Sequence, residues 1–438
     1  MNTDKAQEAK VQGPNERGPN GMGPAPSFEL VTIRLPVMLT FAGLVAGLAL
    51  GMVLGGSQTS NLLQLITGPI GTLWLRALQM TIIPLVAALL VLGISQMANA
   101  ARAGSAARRM LALMLAVLVG GGIASAILMP LLVDAFPIPS AAQGFLATVS
   151  EGEQAVPSVS DFVTSLIAPN IIAAAAETAM LPLTVFFALF AVAVTRLPQA
   201  QKAHLQGLFH ALANAMLMII GWVLWLAPIG VLCLAFGVGV RSGGGAFGAL
   251  AHYILLVSAM GALVLIASYL IGWIGGRIAP WRFVRALIPA QAVALSTQSS
   301  LASLPAMLDS SSRLGLRQES SEFVLPLAVA IFRATSVAMN IAVVLYVAAL
   351  ANIEVPPALV AIGILVALII SVGSVSLPGT ISFVVSIGPI AFAMGVPIEP
   401  LALLVAVEML PDIMRTLSNV TMNVAVASTI DRVRSNVD

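Results

Sequence analysis

Charge is what this chain has least of. Only 9% of its 438 residues are Asp, Glu, Lys or Arg, while 59% are hydrophobic. A soluble domain of that size carries far more charge on its surface, so the composition excludes an ordinary soluble fold and implies a polytopic membrane protein. Cysteine is almost missing. Cys233 stands alone, which excludes an internal disulfide and a cysteine metal cluster. The three histidines, His204, His210 and His252, show no ligand spacing. A net charge of +2, with no basic arm, argues against a nucleic-acid partner. The apolar runs hold no His–Ser pair, paired-Asp protease motif or His-rich motif, so nothing marks an intramembrane enzyme.

What the chain has is apolar length. Runs at about 30–55, 62–98, 108–133, 162–195, 207–240 and 247–276 each reach the ~20 residues that a helix needs to span a bilayer. Several exceed it, so tilt or breaks are expected. Pro84 and Pro182 lie inside two of these runs, where each removes a backbone donor and predicts a kink. Residues 1–28 differ. Their GPNERGPNGMGP stretch reads as a disordered, solvated tail without a signal-peptide pattern.

Basic residues set the orientation. Arg102, Arg108 and Arg109, then Arg196 and Lys202, then Arg277, Arg282 and Arg285, and later Arg313, Arg317, Arg432 and Arg434, cluster between runs or at the C-terminus. The segment 134–161 carries acids but no Lys or Arg, and the surroundings of Glu354 and Glu399 are as bare. Both termini are therefore expected in the cytoplasm of a multi-pass cell-membrane protein, in the inner membrane if the source is Gram-negative. Arg241 is the one basic residue that this scheme places outside.

Beyond residue 280 the pattern changes. Segment 286–308 (ALIPAQAVALSTQSSLASLPAML) has apolar ends and a serine-rich centre, Ser296 to Ser303. Segment 357–396 has the same plan around SVGSVSLPGT at 371–380. Such centres make poor mid-membrane helix, because Gly and Pro break the ladder and Ser competes for backbone bonds. The first segment has basic residues on both sides and the second acidic ones, so each is expected to leave on the face it entered. They predict two re-entrant helical hairpins of opposite orientation. Together with spans 323–350 and 398–430 they form inverted repeats in an all-α protein of about eight transmembrane helices, an arrangement that points to a transporter.

The last stretch, Leu401 to Ile430, carries Glu408, Asp412, Arg415, Asn419 and Asn423 at spacings of four, three, four and four. That period places them on one face of one helix. An ionisable group at membrane depth costs at least a few kcal/mol, so such a stripe faces protein or a substrate path. Asp412 and Arg415 read either as a self-neutralising buried pair or as a clamp for a zwitterionic acid. A guanidinium fork matches a carboxylate, an aspartate offers the anion that an ammonium needs, and Thr416 and Asn419 extend the patch. Arg76 either snorkels or pairs near a membrane edge, or serves a function within the membrane.

Six segments carry a resemblance: LQMTIIPLVAALLVLGIS (78–95), MLPLTVFFALFAVAV (180–194), STQSSLASLP (296–305), VLPLAVAI (324–331), SVGSVSLPGT (371–380) and DIMRTLSNVT (412–421). In this order they resemble the glutamate/aspartate-type dicarboxylate/amino acid:cation symporters, over nearly everything from residue 30 to 434. The resemblance implies an elevator-type homotrimer. Its scaffold would comprise about 30–98 and 162–240, and its transport domain about 108–133, 247–276 and 280–430. It assigns Arg415 to the side-chain carboxylate of a substrate and Asp412 to its α-amino group. Asn419, Thr416 and the backbone around Ser299 and Ser300 receive the α-carboxylate, while Gly373, Pro378 and Gly379 belong to a tip that closes as an outer lid. No cofactor is implied, and the partners are a small-molecule substrate, membrane lipid and further copies of the chain.

The same alignment exposes departures. Where the family carries Asn-Met-Asp-Gly-Thr in its seventh span, this chain has Phe332, Arg333, Ala334, Thr335 and Ser336. Where the family has a sodium-ligating aspartate in the last span, this chain has Asn423. The third span, MLALMLAVLVGGGIAS (110–125), lacks the Tyr and Thr-Ser ligands of the family. Sodium needs oxygen ligands, and two carboxylates are gone. Arg333 reads either as a fixed charge in the place of a missing cation or as the partner of Glu408, Asp412 or a lipid phosphate. The expectation is a secondary active transporter of aspartate, glutamate or a dicarboxylate, with a proton favoured over sodium as the coupling ion and Glu408, Asp412 or Glu177 to carry it. A sodium-independent facilitator or exchanger, an anion channel and a non-transporting sensor on the same scaffold are the alternatives.

Overall fold

The computed structural model describes residues 36–102, 104–139, 164, 166–242, 245–373 and 379–435. The tail 1–28 lies outside them, as does Pro378. The described residues form helices joined by turns, with no strand among them. In chain order these are α1 (Val37–Leu54), α2 (Gln58–Gln79), α3 (Ile82–Ala101), α4 (Ser105–Ala135), α5 (Ile171–Ala176) and α6 (Met180–Thr195). Then come α7 (Gln199–Trp225), α8 (Ala227–Ser242), α9 (Gly245–Ile274), α10 (Pro280–Thr297), α11 (Leu304–Leu314) and α12 (Gln318–Ile331). The last are α13 (Ser336–Leu350), α14 (Pro357–Gly373), α15 (Gly379–Ala393), α16 (Glu399–Leu404) and α17 (Met409–Ser435). Five helical stretches, Gln58–Ala101, Ser105–Ala135, Gln199–Trp225, Gly245–Ile274 and Gln318–Leu350, are long and apolar enough to cross a bilayer.

Proline explains where several helices begin. A proline in a helix lacks the donor and clashes with the carbonyl four residues upstream, so it is accommodated in a first turn. Pro84, Pro182 and Pro411 each sit in the first turn of their helix, α3, α6 and α17. The residues four before them, Met80, Thr178 and Val407, lie in the preceding turns, with Thr178 at φ 55. The expected single helix from Leu401 to Ile430 is thus two helices with a turn at 405–408 between them. The expected span 323–350 is also broken. Phe332 is extended at φ −133 and ψ 124, and the chain turns before α13 starts at Ser336.

Two sets of contacts organise the molecule. Along α1, Gly43, Gly47 and Gly51 recur every fourth residue against α8, where a Cβ would press into the carbonyls of Pro228, Leu232 and Phe236. Only glycine admits backbones at that distance. Elsewhere α13 is the centre: its side chains are buried nearly throughout, and it packs on α4, α9, α14 and α15. Helix α17 packs most heavily on α9 and reaches α13 through the Arg415–Asn340 hydrogen bond. In two helical pairs, α10–α11 and α14–α15, the successive helices pack against each other.

Candidate functional site

The turn at 405–408 delivers Glu408 to the start of α17, and one and two turns later Asp412 and Arg415 enter the same space. All three are buried, with 1%, 5% and 5% of their surface exposed. Arg415 connects the rest. Its Nη2 donates to Glu408 Oε1 at 2.9 Å and its Nη1 donates to Asn340 Oδ1, on α13, at 3.0 Å. Its Nε lies 3.5 Å from Asp412 Oδ1. The second oxygen of Glu408 accepts from the Tyr253 hydroxyl of α9 at 3.1 Å. A close approach makes that contact possible: a Cβ on Gly261 of α9 would lie 3.1 Å from Met414 Cβ, and Ser418 Oγ donates to the Gly261 carbonyl at 2.9 Å. Behind Tyr253, the ring of Tyr346 meets it edge-on at 5.4 Å.

The break between α12 and α13 closes the other side. Thr335 donates from both its backbone N and its Oγ1 to Asn419 Oδ1, each at 3.0 Å. Asn419 therefore caps the break with its carbonyl oxygen, which leaves its amide N–H groups as the donors for a ligand. Arg333 sits in the same break, half-buried, and its charge acts on Asp412, Glu408 and Arg415. Phe332 and Ala334 flank it and are buried. Two cations and two anions thus share one site.

Two polar groups of α17 are buried without a hydrogen-bond partner among the described residues. One is Asp412 Oδ1, and the other is the whole side-chain amide of Asn423. Each is expensive to leave so in a low-dielectric interior. No group of three or more His, Cys, Asp or Glu that could hold a metal ion occurs among the described residues.

The sequence-predicted residues fall into three places. Arg415, Asp412, Thr416 and Asn419 come together on α17, all buried. Ser299 and Ser300 lie in the α10–α11 tip, half-buried, where Gln298 is left-handed at φ 49. There Ser299 Oγ accepts from Ala302 N at 3.2 Å, so the serine stabilises the tip itself. Gly373 ends α14 and Gly379 opens α15, with Pro378 outside the described residues. Tyr253 escaped the sequence reading as a site residue. The available signal was rarity: the chain has only three tyrosines, and two of them, Tyr253 and Tyr269, lie in α9.

Chemically, the arrangement offers a guanidinium fork, a carboxylate oxygen lacking a donor, amide donors and a second buried acid. A family model described as the sodium:dicarboxylate symporter family matches residues 37–433. The chain is 27% identical over 396 residues to the proton/sodium-glutamate symport protein of Bacillus subtilis, covering 88% of this chain and 90% of that protein. It is 25% identical over 390 residues to the proton/glutamate-aspartate symporter of Escherichia coli, covering 87% and 88%. Similarity at 25% over 426 residues extends to the neutral amino acid transporter B(0) of Bos taurus, covering 88% and 78%.

Proposed function

The chain belongs to the sodium:dicarboxylate symporter family, and from that we propose that it is a secondary transporter of acidic amino acids coupled to protons. Asp412 Oδ1 carries the reading, being buried, without a hydrogen-bond donor, and 3.5 Å from the Arg415 guanidinium. An acceptor beside a carboxylate-binding fork suits a ligand bearing both an ammonium and a second carboxylate. That favours aspartate or glutamate over a dicarboxylate, which lacks the ammonium.

Charge counting indicates what enters with it. Glu408, Asp412, Arg333 and Arg415 sum to zero, and an acidic amino acid adds one negative charge. An unbalanced charge in a buried site is costly unless a cation accompanies it. Glu408 already occupies the guanidinium that the substrate carboxylate needs. A proton on Glu408 restores neutrality and releases Arg415 together. Arg333 and Asn423 stand where the family places sodium ligands, and neither offers a carboxylate.

The remaining parts follow the same proposal. A scaffold of α1–α3 and α5–α8 holds a homotrimer together, with both termini in the cytoplasm. The elements α4 and α9–α17 move as an elevator. The packing of α1 on α8, of α4 and α9 on α13, and of α17 on α9 supports this division. The test is uptake of labelled aspartate into proteoliposomes under an imposed pH gradient, acid outside, with and without external sodium. Accumulation should follow the pH gradient, collapse with a protonophore and ignore sodium. Uptake that rises steeply with sodium at fixed pH and potential would overturn the proton coupling, and absence of aspartate binding would overturn the substrate.

A further inference from the structure

Two arginines play no part in the site above, Arg76 within the apolar sequence of α2 and Arg241 on the side expected to be poor in basic residues. The fold brings both to the wall of one cavity of about 550 Å³ between α2, α8 and α16. Arg241 folds back over Gly237, its Nη1 lying 3.6 Å from the place a Cβ would take there. Among the described residues neither arginine makes an ion pair or a hydrogen bond. Glu399, at the start of α16, is the one acid of the lining, so the charges of the wall sum to +1. Thr67 of α2 also lines the cavity, and its Oγ1 is buried without a hydrogen-bond partner among the described residues.

The size and the lining select the ligand. One water-sized species needs only about 10–15 Å³ of such space, far less than this cavity provides. Guanidinium forks match the paired oxygens of an oxyanion. Helix α2 lines the cavity with Gln64, Thr67, Arg76 and Gln79, and Leu65 and Leu73 of the same helix are each 72% exposed. A ligand with an anionic head and apolar tails fits both, the head between the arginines and the tails along the leucines.

We propose that this cavity binds the phosphodiester headgroup of an anionic membrane lipid, held by Arg76 and Arg241. The proposal is independent of which substrate Arg415 clamps. Because the lining spans α2, α8 and α16, a bound headgroup also ties α16 to the other two helices and stabilises the fold.

The experiment uses the full chain purified in detergent, with dioctanoyl phosphatidylglycerol and dioctanoyl phosphatidylcholine as probes. Native mass spectrometry reads retained lipid, and thermal unfolding reads the tie between helices. Phosphatidylglycerol should be retained in preference and raise the melting temperature. R76Q and R241Q should each weaken its binding roughly tenfold, as expected for loss of a charge-assisted contact. E399Q, which removes the competing anion, should tighten binding, and this gain cannot come from misfolding. Equal retention of the two lipids, or phosphatidylglycerol binding unchanged in the R76Q/R241Q double variant or in E399Q, overturns the proposal. Inorganic phosphate or aspartate that displaces the lipid and stabilises the protein as well would show a site for a free oxyanion instead.

Discussion

At the scale of single residues, the Glu408–Arg415 pair decides both stability and chemistry. Removing one member of a buried pair strands the other, which destabilises by about 3–5 kcal/mol, whereas removing both is far milder. Arg415→Ala should therefore abolish aspartate uptake and lower stability by about that much, while the E408Q/R415A double variant regains most of the stability and none of the uptake. Denaturant unfolding in micelles checks it, and equal losses in the single and double variants would remove the pair from the account. Asp412→Asn tests the ammonium site. It should weaken aspartate at least ~tenfold in competition assays and leave succinate, which lacks the ammonium, nearly unchanged. The period of the polar stripe made Asp412, Arg415, Thr416 and Asn419 legible in the sequence, because one helix carries them. The contact to Glu408 was not legible. Seven residues are about 10 Å of regular helix, and only the turn at 405–408 sets where the acid lies. Tyr253 was further out of reach, since no periodicity links residues 155 apart in the chain.

At the scale of elements, the sequence announces breaks where proline causes them and hides those made by tertiary partners. Pro84 and Pro182 flag the turns before α3 and α6. Pro411 carries the same signal, which the polar period masked. The break at 332–335 contains neither Gly nor Pro. It is held from across the site by Asn419, whose oxygen satisfies two donors of Thr335. Asn419→Leu should strand both donors and cost about 1–3 kcal/mol for each one that stays buried. Thr335→Val in that background removes the hydroxyl and should recover part of the loss, measurable as a rise in melting temperature. The α1–α8 contact makes a second prediction. Gly47→Val must drive the helices apart, because its Cβ would strike the Leu232 carbonyl. Overpacking of this kind costs roughly 1–3 kcal/mol, so the variant should unfold earlier than a valine placed at exposed Gly68, where nothing lies within 4 Å.

At the scale of the whole molecule, the question is whether α13 and its neighbours move against α1, α2 and α8. Beside the cavity that holds Arg76 and Arg241, part of the surface between them is apolar. A small apolar pocket of about 30 Å³ is lined by Leu75 and Leu78 of α2, Ile82 of α3, Phe383 of α15 and Leu401 and Ala402 of α16. Apolar contacts of this sort can re-form at a new register without stranding hydrogen bonds, unlike the paired charges buried around Arg415. The charged site would then travel as an intact unit, and sliding would occur where no polar bond has to break. Covalent tethering separates this from a motion inside the site. With Cys233 replaced by serine, cysteines at Leu75 and Leu401 joined by a short bifunctional maleimide should stop aspartate uptake yet leave aspartate binding in place. A tethered protein that still transports would place the moving boundary elsewhere, inside the group formed by α4, α9, α13 and α17. Loss of binding on tethering would instead mean that the site depends on the scaffold helices, because Arg415 and Asp412 meet only helices on the other side of that pocket.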